Sequence, residues 1–249
     1  MKSVAIMQPY FLPYIGYYQL IAASEIFIIY DNIKYTKKGW INRNRILQNN
    51  TDVIVTLPLK AASDALDICK RELAQDFNRV KLLNQFNEAY RRAPNFGKTY
   101  PLIEQILDCD DTNLFRFLHQ SIVKTCEYLG IKTEIKISSD ININHNLKSQ
   151  DKVLSLCNEV GASVYINPIG GIEIYSRSVF QSKNIKLKFI RSRPFNYQQF
   201  ENEFISRLSI IDVMMFNSIE VIREVLSNGF DLEVEDHQYN HNVISVVSG

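Results

Sequence analysis

The chain has 249 residues, 46% hydrophobic and 22% charged, and its 28 basic and 27 acidic residues leave a net charge of +1. That length and balance describe a globular protein of one large domain or two small ones. Near-neutrality excludes general nucleic-acid binding, which needs a strongly basic face. The cysteines Cys69, Cys109, Cys126 and Cys157 are far apart and form no C-x-x-C pair, so they read as reduced thiols of a cytoplasmic protein rather than a disulfide or metal framework.

Residues 4–7 read as a short apolar strand. The following segment, QPYFLPYIGYY, is a polar, aromatic loop stiffened by Pro9 and Pro13. A helical run follows, and residues 26–30 form a second apolar strand ending at Asp31. A strand–loop–helix–strand unit opens a parallel α/β sheet, whose ligands sit at the carboxyl ends of the strands. The uncharged run 3–24 has the composition of a leader. Gln8, Pro9, Pro13, Gly16 and Gln19 interrupt it, however, where a leader needs about 7–15 continuous apolar residues. A membrane span needs about 20 mostly apolar residues, and the same polar positions argue against one. Folded cytoplasmic protein without a transmembrane segment is the expectation.

Residues 32–51 hold Lys34, Lys37, Lys38, Arg43 and Arg45 and no acid, and read as a basic loop. Residues 53–57 are a strand stopped by Pro58. Residues 76–93 read as an amphipathic helix facing inward with Phe77, Val80, Leu83 and Phe86. The segment 94–97 breaks it, and helices follow at 101–107 and 113–129, the latter ended by Gly130. Residues 70–130 are therefore expected to be a helical insertion in a single α/β domain spanning 1–249. From Gly130 the α/β rhythm returns, with strands at 132–137, 163–166 and 185–190 and helices at 147–160 and 171–183. The motifs GIKTEI and GASVYI each place a glycine helix stop before a strand, the grammar of βαβ crossovers. Ile185, Leu187 and Phe189 alternate with Lys186 and Lys188, which places that strand at a sheet edge. Residues 218–226 are a last helix, and the polar tail after Gly229 receives no element. The fold class is α/β with a mostly parallel, Rossmann-like sheet and a helical middle section.

Several residues carry chemistry, each with a plainer alternative. Gln8, Pro9, Tyr10, Tyr14 and Tyr17 lie at the end of the first strand and could stack a sugar or a base, or could be core and turn residues. Asp31 could be a general base or a ribose or metal ligand, or the cap of a turn. Asn42, Arg43, Asn44 and Arg45 offer arginine forks that recognise phosphate or carboxylate; hydrogen bonds to charged groups contribute about 1.5–3 kcal/mol, against roughly 0–1 for surface ion pairs. A second acid-free window, 174–200, holds Arg177, Lys183, Lys186, Lys188, Arg191 and Arg193. Two basic windows in a near-neutral chain suit a localised anionic substrate rather than a long polyanion. Asn167, Pro168, Ile169, Gly170 and Gly171 join a strand to a helix, where backbone can approach an anion closely. Asp212 stands in an apolar run and needs a partner, either in a polar site or in a capping box with Ser209. Ser138, Ser139 and Asp140 carry the same ambiguity. Asp236, His237 and His241 have metal-like spacing in a polar tail, and no metal site is assigned. His119 reads as structural. Because strand ends of a parallel sheet emerge on one side, Arg43, Arg45 and the 167–171 loop are expected to converge beside Gln8 and Asp31.

Taken together, MQPYFLPYIGYYQLI, Asp31, Lys38 with Gly39 and Trp40, Asn42 to Arg45, Asp151, YINPIGG with Tyr175, Tyr197 with Gln198, and LSIIDVMMFN resemble the WbqC-like family of bacterial polysaccharide-locus proteins. The resemblance runs from Met7 to Asn217. It implies a part in O-antigen or capsular polysaccharide biosynthesis, with acyl or glycyl transfer to a nucleotide-linked amino sugar. It adds Lys38, Asp151, Tyr175 and Gln198 to the site. Asp31, Lys38 and Gln8 are then the catalytic set, with Asp31 deprotonating the amine, the arginines holding a diphosphate or carboxylate, and the Gly170–Gly171 backbone serving an oxyanion. The small-molecule partner is a nucleotide sugar or an activated amino acid; charged tRNA remains open as donor, and no cofactor is named. The opening unit is also similar to that of nucleotidylyltransferases and pantoate ligases, which hold ATP with His-x-Gly-His. Here Tyr14-Ile15-Gly16-Tyr17 takes that place without a histidine. The other reading is a non-catalytic nucleotide-sugar binder.

Overall fold

A computed structural model describes residues 1–201 and 203–233. The elements are β1 (Ser3–Met7), α1 (Ile15–Ala22), β2 (Ile26–Ile29), β3 (Arg43–Gln48), β4 (Thr51–Thr56), α2 (Arg79–Tyr90), α3 (Phe96–Leu107), α4 (Leu114–Leu129), β5 (Glu134–Ile137), α5 (Ser149–Glu159), β6 (Val164–Pro168), α6 (Arg177–Ser182), β7 (Lys186–Ser192), α7 (Ile210–Phe216), α8 (Ile219–Asn228) and β8 (Phe230–Glu233). Six strands form one sheet in the order β5-β2-β1-β6-β7-β8, and β3 pairs with β4 in a separate antiparallel hairpin. All neighbours in the sheet are parallel except β7 and β8. The fold is thus a mostly parallel α/β sheet, ordered as a doubly wound Rossmann-type sheet with its last strand reversed.

Strand alternation sorts the core onto two faces. Ala5, Phe27 and Ile29 point into a cluster with α1, α4, α7, α8 and the hairpin. Val4, Ile6, Ile26 and Ile28 point into a second cluster with Val153, Leu156 and Cys157 of α5 and Phe180 of α6. The chain reaches β2 and β5 on one side of β1, then returns to β6 and β7 on the other. The reversal leaves a crevice outside the carboxyl ends of β1 and β6.

Five expectations need correction. Residues 43–48 are a strand, not a loop, and their antiparallel partner is β4. In α2, Leu82, Phe86, Ala89 and Tyr90 face inward, while Val80 is 67% exposed. The set 77/80/83/86 repeats every three residues and drifts off a 3.6-residue face, whereas 82/86/89/90 stays on one. Helix α3 begins at Phe96 and carries Pro101 inside it; the amide that Pro101 lacks would have met the carbonyl of exposed Gly97. Residues 169–171 form a 3₁₀ turn and α6 starts only at Arg177, so the 167–171 loop does not open directly onto a helix. Strand β7 is not an edge, because Phe230–Glu233 covers it as β8.

Candidate functional site at the carboxyl edge of the sheet

Gln8 leaves β1 at the crevice. Its Nε2 donates to the Tyr10 hydroxyl at 2.8 Å, and the Tyr17 hydroxyl donates to its carbonyl at 3.1 Å. The two rings lie 5.7 Å apart, and burial pushes both phenols above their ordinary value. Pro9 is buried beside them. Tyr14 reaches the surface, and Gly16 makes room for it: a Cβ there would stand 2.4 Å from the Tyr14 ring and 2.7 Å from Ser192 Oγ. Across the crevice, Asn167 Oδ1 accepts from the Tyr165 hydroxyl at 3.2 Å and its Nδ2 donates to the Pro168 carbonyl at 3.0 Å. The Tyr165 and Tyr175 hydroxyls are 3.3 Å apart. A Cβ on Gly171 would fall 2.1 Å from Asn167 Nδ2, whereas at Gly170 it would meet nothing within 4 Å. Gly171 therefore fixes Asn167, and Gly170 presents open backbone.

Asp31, at the end of β2, is 1% exposed. Its carboxylate accepts from the Ser139 amide at 2.9 Å and the Ser139 hydroxyl at 2.7 Å, which ties β2 to the 3₁₀ turn after β5. Its carbonyl accepts from the Cys69 amide at 3.1 Å. Beside it Lys152, 4% exposed, donates to the Asn32 carbonyl at 3.2 Å and to Asn32 Oδ1 at 3.1 Å. Its ammonium lies 4.9 Å from the centre of the Tyr30 ring. Burial lowers the Lys152 pKa against the pull of Asp67, Asp31 and Cys69. Burial also pushes the Cys69 thiol up to about 11, with Asp31 and Asp67 adding to it, and Tyr30 up to about 12, with Tyr175 and Asp67 adding. These groups sense one another across the ends of β2, β5 and β6. A connected set of shifted titratable groups at a strand edge marks a candidate site.

The predicted residues divide. Gln8, Pro9, Tyr10, Asp31, Asn167, Gly170, Gly171 and Tyr175 lie on the loops and strand ends at the carboxyl edge, and Tyr17, in the first turn of α1, reaches back to the Gln8 carbonyl. Asn42 and Asn44 are buried braces: Asn42 accepts from the Tyr35 hydroxyl at 2.7 Å and donates to the Leu57 carbonyl at 2.8 Å. Asn44 donates to the carbonyls of Phe11 and Leu12 at 3.0 and 2.7 Å. Arg43 binds the carbonyls of Gly39 and Lys38, and Arg45 binds Asp52 at 2.9 Å and the carbonyls of Ser206 and Arg207. Both guanidinium groups lie 5.9 Å from the Trp40 ring centre. Because β3 belongs to the hairpin and not to the parallel sheet, the topological reason for joining these arginines to Asp31 and the 167–171 loop fails, and among the described residues their side-chain hydrogen-bond partners are Lys38, Gly39, Asp52, Ser206 and Arg207. Lys38 is exposed in left-handed backbone.

Asp151 is exposed in the first turn of α5, while Lys152, one residue on, turns inward. Gln198 is exposed and bonds the Phe200 carbonyl; the buried amide is Gln199. Asp212 is 0% exposed. It accepts from the hydroxyls of Tyr197 at 2.6 Å and Tyr90 at 2.9 Å and from Gln199 Nε2 at 2.7 Å. Burial raises its pKa against these three donors. Ser209 caps α7 at Ile211, but its own amide donates to the Arg45 carbonyl, so the reciprocal half of the capping box is absent and Asp212 instead ties α2, α7 and the 197–199 segment together. His119 lies half-buried in α4 against Phe115. Asp236, His237 and His241 lie outside the described residues. Lys152, Asn32 and Tyr30 escaped the sequence reading, although Lys152 shares an i, i+4 face with Leu156, where a lysine is out of place.

Two surface concavities of about 390 and 770 Å³ lie elsewhere, the first lined by Asn95, Lys98, Tyr128, Asn217, Ile219 and Ile222 and the second by residues of α2 with Gln48 and Asn78. Neither contains a buried titratable group, so the carboxyl edge is the stronger candidate. Among the described residues no helix is long and apolar enough to cross a membrane.

The profile of the WbqC-like protein family matches residues 8–224, from the Gln8 loop into α8. The chain belongs to the WbqC-like protein family. Within that match fall Gln8, Asp31, Lys152, the 167–171 loop and Asp212. An uncharacterised protein of Mycobacterium tuberculosis is 28% identical over 222 residues, covering 87% of this chain and 94% of its own. No solved structure matches the chain.

Proposed function

We propose that this WbqC-like protein is a polysaccharide-biosynthesis enzyme of the O-antigen or capsule type that transfers an acyl or aminoacyl group, such as glycyl, to a nucleotide-linked amino sugar. The observation that supports the reading is that Gln8, Asn167 and the Asp31–Lys152 cluster all stand at strand carboxyl ends of a doubly wound sheet, the edge where such folds bind nucleotides. In this reading the diphosphate lies against the open backbone of Gly170, and Tyr30 and Tyr175 flank the sugar. The cations of β3 and the 34–38 segment supply a positive field rather than direct forks, since the arginine heads already serve carbonyls and Asp52. Asp31 is the base that takes a proton from the amine. The amine nitrogen forms the amide bond to the donor's carbonyl carbon, with Gln8 assisting there, as the bond to the donor's phosphate or tRNA oxygen breaks and that oxygen leaves. Lys38 contributes only through the field. The test is to incubate the protein with UDP-linked amino sugars and activated glycine, including glycyl-tRNA, and to look for the mass gain of the glycyl product. If no donor yields product, the transferase reading fails.

A second reading has one observation in its favour. Asp31 is nearly inaccessible and both its oxygens are engaged by Ser139, as befits a structural carboxylate in a non-catalytic nucleotide-sugar binder. Asp31→Asn separates the two. An enzyme loses turnover while keeping ligand affinity, whereas a binder keeps full activity in a polysaccharide-deficient strain.

A further inference from the structure

His145 lies exposed in the segment between the 138–140 turn and α5. An Asx turn holds that segment, with the Asn146 amide donating to Asn144 Oδ1 at 3.1 Å and the Leu147 amide to the Asn144 carbonyl at 3.2 Å. His145 Nδ1 is 2.9 Å from Asn32 Nδ2. The identity of that amide nitrogen is fixed by chemistry on its other side. Lys152 Nζ stands 3.1 Å from the facing atom of the same amide, and an ammonium can only donate. That atom is therefore the oxygen, and the Ser138 hydroxyl donates to it as well. The amide nitrogen is left facing His145, where it can only donate, so His145 Nδ1 must accept. The ring is then neutral and carries its proton on Nε2.

We infer that His145 is a hydrogen-bond donor to the substrate anion, held as the neutral Nε2–H tautomer by a Lys152–Asn32 pin. The outer nitrogen of His145 presents a fixed, uncharged N–H to solvent at the carboxyl edge. That chemistry serves a phosphate or carboxylate oxygen, in the way a neutral imidazole polarises a carbonyl in other enzymes. Lys152 and Asn32 are positioning residues: they act through His145. Around the pin stand Lys152 from α5, Asp31 behind β2 and Asp67 before the 68–70 turn, and the two carboxylates help keep Lys152 charged and donating. The assignment rests on the anionic-substrate reading for its ligand but not for its tautomer.

Nitrogen-15 spectra of histidine-labelled full-length protein test it, with His145 assigned by its loss in His145→Gln. At pH 8 the wild type should show Nε2 protonated and Nδ1 bare. The isosteric Asn32→Asp puts a carboxylate against Nδ1 and should move the proton there. Lys152→Met should free the amide to rotate and give mixed tautomers. Adding uridine 5′-diphosphate or inorganic pyrophosphate should shift the Nε2 resonance. His145→Ala should weaken either probe about tenfold, and His145→Gln, which restores a donor amide, should recover most of that loss. Mixed or Nδ1–H tautomers in the wild type overturn the pin. Probe binding that leaves His145 unmoved overturns the donor role. If neither probe binds at all, the anionic-substrate reading falls and takes the donor role with it, while the tautomer result still stands or falls separately.

Discussion

Asp212 shows how one buried group can set stability. Its carboxylate satisfies two hydroxyls and an amide inside the core, so Asp212→Ala strands three donors. At about 1–3 kcal/mol for each buried group left unpaired, and with partial relaxation, the variant should lose about 3–5 kcal/mol in urea unfolding. The pH dependence follows from the raised pKa. The folded state holds the proton more tightly than the unfolded chain, so the stability that protonation contributes is present at low pH. It is lost as pH rises from about 4, the unfolded value, through the higher folded value. The stability advantage of wild type over Asp212→Asn should therefore shrink between pH 4 and pH 7; a gap that widens would mean the folded pKa is depressed. The two glycines of the 167–171 loop make a second contrast. Gly171→Ala drives a Cβ into Asn167 and should cost about 1–3 kcal/mol, with loss of nucleotide binding, while Gly170→Ala should change melting little. At this scale the sequence was partly legible. Asp212 announced its need for a partner by standing in an apolar run, but not that the partners would be Tyr90, Tyr197 and Gln199, which are distant in the chain or face inward only after folding. Lys152 was masked because a single lysine in a helix is ordinarily solvated.

Among the elements, α4 was legible to within one residue because its ends are coded locally: the Asn113 side chain accepts from the Arg116 amide and Gly130 closes the helix in left-handed backbone. Asn113→Ala should cost about 1 kcal/mol for the cap, and rather more because Nδ2 also holds the Cys69 carbonyl; thermal melts resolve both. Strand β3 was not legible. Its buried positions are Asn44, Ile46 and Leu47, and a polar residue at a buried site breaks the apolar alternation by which a strand is recognised. Asn44 is inward because the Gln8–Tyr14 loop offers it two carbonyls. Asn44→Ala should leave those carbonyls unpaired, destabilise the protein by about 2–4 kcal/mol, and loosen the hairpin from the loop, read as a change in Trp40 fluorescence before global unfolding. A purely global transition would show that the hairpin does not depend on this brace.

For the whole molecule, the repeated glycine-stop and strand pattern foretold parallel crossovers, and these alone lead to a sheet with a switch point. What the pattern could not give was the side of β1 on which each later strand lands, the reversal of β8, or the hairpin's independence from the sheet, since all three depend on contacts made only in the closed fold. The consequence for function is spatial: the loop after β1 turns toward one face, the loop after β6 toward the other, and the titratable cluster of Asp31, Asp67, Cys69, Lys152 and Tyr30 lies at the strand ends beside them. The most direct measurement is a crystal structure of the protein with a UDP-linked amino sugar. The account predicts the diphosphate outside the carboxyl ends of β1 and β6, within about 2.7–3.2 Å of donors on the Gln8 and 167–171 loops, and the sugar toward Tyr30 and Tyr175. Ligand density in the concavity lined by Asn95, Lys98 and Tyr128, or along the outer face of the hairpin, with the crevice empty, would contradict it.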